Sequence, residues 1–112
     1  MSLFGNRSVP EISAVELKER LDNGEEIFIL DVRQPDEYRY CNIGGLLMPL
    51  GDLPRRMSDL DPEREIVVVC HSGARSARAT QYLQRAGFLN VKNLAGGIDR
   101  WAEEIDPTLP RY

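Results

Sequence analysis

The sequence has little of what marks several specialised protein classes. Its 112 residues include two cysteines and one histidine, which is too few for a disulfide framework or a histidine-rich metal site. No apolar run approaches the length of a transmembrane helix, and residues 1–10 lack the apolar core of a signal peptide. The net charge is −4, so no basic surface for nucleic acid or an anionic membrane is expected. We therefore expect a cytoplasmic protein with neither nucleic-acid nor membrane partners.

Composition is otherwise that of an ordinary globular chain, with 42% hydrophobic and 29% charged residues. We predict one domain over residues 1–112, with a core of about 10–105 and an extended tail at 106–112. Ser13 and Glu16 form a capping-box pattern that opens a helix to about Asp22, with Val15, Leu17 and Leu21 facing inward. Further helices are predicted from Pro35, at Leu53–Leu60, from Ser76 to Gly87 and at Ile98–Ile105.

Apolar, β-branched segments alternate with these helices. This order predicts an α/β fold with a parallel sheet covered on both faces. In such sheets ligands bind at the carboxyl ends of the strands. The strands are predicted at Ile27–Val32, Leu46–Leu50, Ile66–Val69 and Asn90–Leu94.

The strand Ile66–Val69 runs directly into Cys70, and helical composition follows from Ser76. A thiol at such a junction lies beneath the free N–H groups and positive end of the helix. Those groups favour the thiolate, which is the nucleophilic form of cysteine. Cys70 is therefore the candidate catalytic residue, and the alternative interpretation is a buried structural cysteine.

The residues after Cys70 form a candidate binding loop. Gly73 permits a backbone conformation in which successive N–H groups point at the sulfur. Arg75 adds a permanent charge that can stabilise a thiolate or bind an anionic substrate. The loop consists of His71, Ser72, Gly73, Ala74, Arg75 and Ser76.

Other segments that follow strand ends should lie at the same rim as this loop. Asp31 and Arg33 can support the pocket, or can form an ion pair of purely structural value. Cys41 is either a small buried hydrophobe or a thiol that forms a disulfide with Cys70 after oxidation. His71 has no ligand cluster around it, and we expect it to line the loop rather than to act as a base or metal ligand.

Three segments together resemble the rhodanese-like family of single-domain sulfurtransferases. The resemblance extends from about Pro10 to Trp101, and it implies a three-layer fold with a central, mostly parallel five-stranded sheet and helices on both faces. The segments are Asp31-Val32-Arg33-Gln34-Pro35-Asp36-Glu37-Tyr38, Cys70-His71-Ser72-Gly73-Ala74-Arg75-Ser76 and Leu94-Ala95-Gly96-Gly97-Ile98 with Trp101.

The resemblance implies a reaction in which Cys70 takes a sulfane sulfur from thiosulfate, or from a protein persulfide, and carries it as a persulfide. The acceptor would be cyanide in an assay, and a thiol or a sulfur-carrier protein in the cell. Two-step nucleophilic catalysis of this kind predicts ping-pong kinetics. It requires neither a metal nor an organic cofactor.

One segment departs from the family pattern. Rhodanese-like domains usually have Gly-His-Ile-Pro-Gly-Ala where this chain has Cys41-Asn42-Ile43-Gly44-Gly45-Leu46. We expect Asn42 to form local hydrogen bonds in place of the histidine. A cysteine here, and the ending Asp106–Tyr112, resemble the rhodanese domain of adenylyltransferase/sulfurtransferase fusions.

Two other functions are compatible with parts of this pattern. Cysteine-dependent phosphatases and arsenate reductases also place an arginine at the end of an anion-binding loop, but they need five residues between the two, and here four separate Cys70 from Arg75. A non-catalytic rhodanese-like regulatory module is the other alternative. Such modules typically lack the cysteine or the charge of the loop, whereas this chain has both.

Overall fold

A computed structural model describes residues 9–112 of the chain. Within this range there are five strands and five α-helices. The strands are β1 (Glu11–Ile12), β2 (Phe28–Asp31), β3 (Leu46–Leu47), β4 (Ile66–Val69) and β5 (Val91–Leu94). The helices are α1 (Ala14–Asp22), α2 (Pro35–Tyr40), α3 (Leu53–Arg56), α4 (Ala74–Arg85) and α5 (Gly97–Glu104).

The strands form a single sheet in the order β1-β5-β4-β2-β3, and all neighbouring strands are parallel. The central strand β4 is β-branched and buried at every position, as expected for a strand covered on both faces. The predicted α/β fold with a five-stranded sheet is therefore confirmed. Cys70 follows directly from the carboxyl end of this central strand.

Two apolar clusters cover the two faces of the sheet, because successive strand side chains point to opposite sides. Helices α1 and α5 cover the face that carries Val67 and Val69. Helices α3 and α4 cover the face that carries Val68 and Cys70. The chain after β4 and the chain after β5 thus leave the sheet toward opposite faces, and ligand crevices in parallel sheets form at such a divergence.

The first helix begins as predicted but faces differently from the prediction. The Ser13 side chain accepts a hydrogen bond from the Glu16 N–H at 3.0 Å, and Leu17 is fully buried. Val15, however, is 48% exposed, so its predicted inward orientation was wrong. Val15 lies two positions from Leu17, and two residues turn a helix by about 200°.

The segment between β2 and β4 is less regular than predicted. β3 spans two residues, Pro49 has no N–H for a sheet hydrogen bond, and a 3₁₀ turn begins at Leu50. The predicted helix Leu53–Leu60 is one α-turn followed by a second 3₁₀ turn at Met57–Asp59. The short strand β1, which pairs with β5, was not predicted, because two residues are too few to show a periodicity.

The tail after α5 is not fully extended, contrary to the prediction. The Asp106 carboxylate accepts a hydrogen bond from the Thr108 N–H at 3.1 Å, and the Asp106 carbonyl accepts one from the Leu109 N–H at 3.0 Å. Aspartate followed by proline favours such a local turn. The turn directs Tyr112 back toward the carboxyl edge of the sheet. Among residues 9–112 the structure has no helix long and apolar enough to cross a membrane.

Candidate active site

Cys70 lies in the loop between β4 and α4 and is 1% exposed. Two backbone hydrogen bonds fix the first residues of this loop to the start of α5. The Cys70 carbonyl accepts from the Ile98 N–H at 2.9 Å, and the His71 carbonyl accepts from the Asp99 N–H at 3.0 Å. An added Cβ at Gly97 would collide with these two carbonyl groups. Glycine at position 97 therefore permits the start of α5 to approach the Cys70 and His71 carbonyl groups closely and to hold the loop in place.

Three polar groups surround the sulfur of Cys70. The Gly73 N–H donates to Sγ at 3.1 Å, and the Ser76 N–H donates at 3.3 Å. The Ser76 hydroxyl oxygen lies 3.2 Å from the same Sγ. We call these three groups the sulfur cradle. They belong to the loop and to the first turn of α4, and such groups stabilise an anionic sulfur.

Gly73 gives the cradle its shape. It caps α4 in the left-handed region, with φ of 111°, which residues with a Cβ rarely adopt. An added Cβ would meet nothing nearer than the Gly96 nitrogen at 3.5 Å, which is an ordinary contact. The requirement for glycine here is thus one of backbone conformation and not of space.

The buried amide of Asn93, on β5, completes the surroundings of the cradle. Its Oδ1 lies 2.5 Å from the Ser76 hydroxyl, and its Nδ2 donates to the Gly73 carbonyl at 3.2 Å. Asn93 lies in no motif of the sequence. The available signal was a polar side chain in β5, where Val91 and Leu94 are buried.

Arg75 does not point its charge at the sulfur. Its guanidinium forms a two-point ion pair with the Glu37 carboxylate of α2, at 2.7 and 2.9 Å. The Arg75 hydrogen bonds lower the pKa of Glu37 to about 2, although burial opposes this shift. The pKa of Arg75 is raised, first by the hydrogen bond to Glu37 and to a smaller extent by the charge of Cys70. The ion pair joins α2 to α4 beside the loop.

The predicted pocket residues Asp31 and Arg33 form an ion pair in which both side chains are fully buried. Arg33 donates from Nη2 to Asp31 at 2.7 Å and to the Cys41 carbonyl at 2.8 Å. Burial lowers the pKa of Arg33, but its hydrogen bonds to Asp31 and Tyr112 outweigh this effect and raise the pKa overall. The geometry is that of the structural alternative.

Tyr112 links the two ion pairs, and sequence reasoning missed it because it lies far along the chain from both. Its hydroxyl accepts from Arg33 at 3.0 Å and lies 2.9 Å from a Glu37 oxygen. Its ring stacks on His71, with centroids 4.1 Å apart. Burial, together with the bond to Glu37, raises the pKa of Tyr112 to about 12, although the bond to Arg33 opposes this shift. We call Asp31, Arg33, Glu37, Arg75 and Tyr112 the charged cluster.

The remaining loop candidates lie around these groups. Ser72 and Ala74 are exposed. His71 Nε2 is buried with no hydrogen-bond partner among the described residues. Over residues 9–112, no three His, Cys, Asp or Glu side chains are grouped to hold a metal ion.

The segment that departs from the family pattern forms local contacts. Cys41 is a free, buried thiol in the apolar cluster on the opposite face of the sheet from Cys70, which favours the structural interpretation. Asn42 bonds locally as predicted, donating to Tyr38 and accepting from Gly44.

Comparison with known proteins identifies the family. Residues 13–104 match the model of the rhodanese-like domain. A sulfurtransferase of Allochromatium vinosum is 40% identical over 95 residues, which cover 84% of this chain and 89% of that protein. The adenylyltransferase and sulfurtransferase MOCS3 of Arabidopsis thaliana is 32% identical over an alignment of 118 positions, and the match covers 90% of this chain and 25% of that protein.

Among solved structures, a thiosulfate sulfurtransferase from Pseudomonas aeruginosa matches with a TM-score of 0.79 and 33% identity. The match covers 92% of this chain and 20% of that one. The relatives differ in length, and this chain spans 54% of the length of a protein of Bacillus subtilis named as a putative sulfur carrier protein. They include both single-domain sulfurtransferases and fusions with an adenylyltransferase. Sulfur transfer is the general activity that these relatives support, and the chain belongs to the rhodanese-like family.

Proposed function

We propose that the protein transfers a sulfane sulfur from thiosulfate or a protein persulfide to a thiophilic acceptor, with Cys70 as the carrier. The observation that carries this proposal is the sulfur cradle, which directs the N–H groups of Gly73 and Ser76 at one sulfur atom. Donors fixed in place before the reaction stabilise developing charge without reorganisation. The Cys70 thiolate that attacks the sulfur donor is anionic at this same Sγ atom, and the cradle is suited to it.

With thiosulfate the reaction is a displacement at sulfur. The Cys70 thiolate attacks the outer sulfur, a new S–S bond forms, and the bond to the sulfonate breaks so that sulfite leaves with the electron pair. In the second step cyanide attacks the terminal sulfur of the persulfide. Thiocyanate leaves, and the Cys70 thiolate is regenerated. Each step conserves charge, and neither requires an external oxidant or reductant.

The charged cluster supports a structural role for Arg75 in this reaction. Its guanidinium is neutralised by Glu37 at 2.7 Å, so the local charge available to attract an anionic donor is small. Holding α2 against the start of α4 is then its main contribution. The cradle itself offers only neutral dipoles. It is therefore compatible with either a thiosulfate anion or a protein persulfide as the sulfur donor.

A sulfur-carrier protein is our proposed cellular acceptor, together with small thiols. Support comes from the resemblance of Cys41 and of residues 106–112 to fusion sulfurtransferases, and from the relative that combines adenylyltransferase and sulfurtransferase in its name. A cytoplasmic setting is part of the same proposal, because both Cys41 and Cys70 are free thiols.

Phosphatase chemistry is disfavoured by the loop. Four residues separate Cys70 from Arg75, and the arginine that would bind a phosphate oxygen is paired with Glu37 instead. A regulatory module without catalysis would not need two backbone N–H donors directed at a buried sulfur. The same experiment tests both alternatives against sulfur transfer.

Thiocyanate formation from thiosulfate and cyanide is the direct test. We expect Cys70→Ser to abolish it and to leave the fold intact, because serine is nearly isosteric but is not ionised at neutral pH. The matched control is Cys41→Ala, which removes the other thiol and should leave the rate of the folded protein unchanged. Equal activity in the wild type and Cys70→Ser would contradict the proposal, and phosphate-ester hydrolysis by the wild type would favour the phosphatase alternative.

A further inference from the structure

The orientation of the Asn93 side-chain amide is fixed by its neighbours. Its nitrogen donates to the Gly73 carbonyl at 3.2 Å and lies 3.5 Å from a carboxylate oxygen of Glu11. Both of these groups are acceptors, so only the NH₂ end of the amide can face them. The amide oxygen must therefore face Ser76. Asn93 is 2% exposed, so solvent scarcely competes for these contacts.

The Ser76 hydroxyl has one proton and two possible acceptors. Asn93 Oδ1 lies at 2.5 Å, and Cys70 Sγ lies at 3.2 Å. One proton cannot serve both fully, and both atoms lie within hydrogen-bonding distance of the hydroxyl oxygen. When the hydroxyl donates to Asn93, its lone pairs face the sulfur, and they can accept a hydrogen bond from a neutral Cys70 thiol.

We propose that Asn93 is a positioning residue that sets the direction of the Ser76 hydroxyl and thereby the reactivity of the Cys70 sulfur. In the thiol form, the S–H donates to Ser76 Oγ, and the Ser76 O–H donates to Asn93. When the Cys70 sulfur is anionic, the hydroxyl turns to it, because a hydrogen bond to an anion is stronger than one to an amide. This role rests on the proposed function, since transfer proceeds through an anionic sulfur.

Asn93 and the sulfur thus compete for one proton. Replacing Asn93 by leucine, which has a similar size and no acceptor, leaves the hydroxyl free to donate to Cys70. The same change also removes the bond to the Gly73 carbonyl, which disturbs the cradle for a different reason. Ser76→Ala separates the two effects, because it removes the hydroxyl and keeps the Ser76 backbone N–H that donates to Sγ.

A double-mutant cycle tests the proposal. The rate of alkylation of Cys70 by iodoacetamide at neutral pH is measured by peptide mass for the wild type, Asn93→Leu, Ser76→Ala and the double variant. In each background, Asn93→Leu changes the alkylation rate by some factor, and the quantity of interest is the ratio of the factor in the wild-type background to the factor in the Ser76→Ala background. We expect this ratio to be roughly two to ten, as one ordinary hydrogen bond allows. Loss of the hydrogen bond to the Gly73 carbonyl, and any general increase in the mobility of the loop, affect the rate in both backgrounds. These effects therefore cancel in the ratio.

Equal factors in the two backgrounds, or a smaller factor in the background that keeps the hydroxyl, would overturn the proposal and leave Asn93 a structural residue. Asn93→Asp gives a second test if the leucine variant does not fold. A carboxylate holds the hydroxyl proton more strongly than an amide, so the same ratio should fall below one. A ratio of one or more for Asn93→Asp would overturn the proposal in the same way.

The failure of this proposal and the failure of the proposed function are distinguishable, because alkylation does not depend on sulfur transfer. A cycle that shows coupling in a protein that forms no thiocyanate would contradict the proposed function alone. Thiocyanate formation without coupling would contradict the role of Asn93 alone.

Discussion

The sulfur cradle and the charged cluster lie side by side at the carboxyl edge of the sheet, and they hold their polar groups in different ways. The cradle presents neutral dipoles, the Gly73 and Ser76 N–H groups, to one buried sulfur. The charged cluster satisfies its charges internally, through the pairs Asp31–Arg33 and Glu37–Arg75. The comparison teaches that an arginine in such a loop can be held in an ion pair with another helix. In the proposed reaction the backbone dipoles face the sulfur, and the ion pairs hold the surrounding segments together.

The largest expected loss of stability comes from breaking the buried ion pair. Arg33→Met removes the guanidinium that neutralises Asp31 and leaves a buried carboxylate with only the backbone N–H of residue 33 as a donor. We expect the free energy of unfolding to fall by about 3–5 kcal/mol, measured by urea denaturation. This change does not alter any group of the sulfur cradle. The rate of sulfur transfer per folded molecule should therefore stay close to that of the wild type. A fall of less than about 1 kcal/mol would show that the pair is not a main support of the fold.

Gly73→Ala should damage the cradle more than the fold. Its φ of 111° imposes a strain of about 1–3 kcal/mol on any residue with a Cβ, and relief of that strain moves the Gly73 N–H away from Sγ. The rate of thiocyanate formation should drop by at least about tenfold at a temperature where the variant is folded. Gly87→Ala, at a position with φ of 100° after α4, is the matched control for strain without the site, and an equal loss of rate there would break the comparison.

Glu37→Gln probes the frame through pH. The pKa of Glu37 is about 2, below its ordinary 4.5, mainly because of its hydrogen bonds with Arg75. The stabilisation by Glu37 is therefore complete above about pH 4.5, and it is lost as the pH falls from 4.5 toward 2. The variant should be less stable than the wild type by roughly 1–2 kcal/mol at neutral pH.

This difference should narrow as the pH falls through that window, as measured by thermal unfolding at a series of pH values. A constant difference from neutral pH to the lowest pH at which both proteins fold would contradict the pairing of Glu37 with Arg75.

The smallest expected effect is a difference between sulfur donors in Arg75→Ala. If the guanidinium supports the frame, the loss of rate should be the same, within about twofold, for thiosulfate and for an uncharged sulfur donor. A much larger loss with thiosulfate would show that Arg75 binds the anion directly. The measurement is kcat/KM for both donors, with Arg78→Ala, on the same helix and exposed, as the control for a general change of charge.

The cradle could be predicted because its geometry is local. Cys70, Gly73 and Ser76 lie within one short segment, and a strand, a glycine and a helix start define their arrangement in the sequence. The charged cluster could not be predicted in this way. Its contact between Glu37 and Arg75 spans 38 positions, and that between Arg33 and Tyr112 spans 79. Such pairs depend on how distant segments of the chain pack together, which no local pattern records.

Asn93 shows the same limit from the side of the sheet. It contacts Ser76 across 17 positions and Glu11 across 82, and the short strand β1 that carries Glu11 has no visible periodicity. Where a helix face was predicted from local spacing, one position was wrong, as Val15 shows. Long-range polar contacts were thus the main part of the site that required the structure.

Intact mass of the wild-type protein after incubation with thiosulfate tests the central claim most directly. We expect a gain of one sulfur, about 32 Da, which cyanide removes. Cys41→Ala should show the same gain, and Cys70→Ser should not. Absence of this adduct in the wild type, with thiosulfate and with an enzyme-bound persulfide as donors, would contradict the assignment of Cys70 as a sulfur carrier.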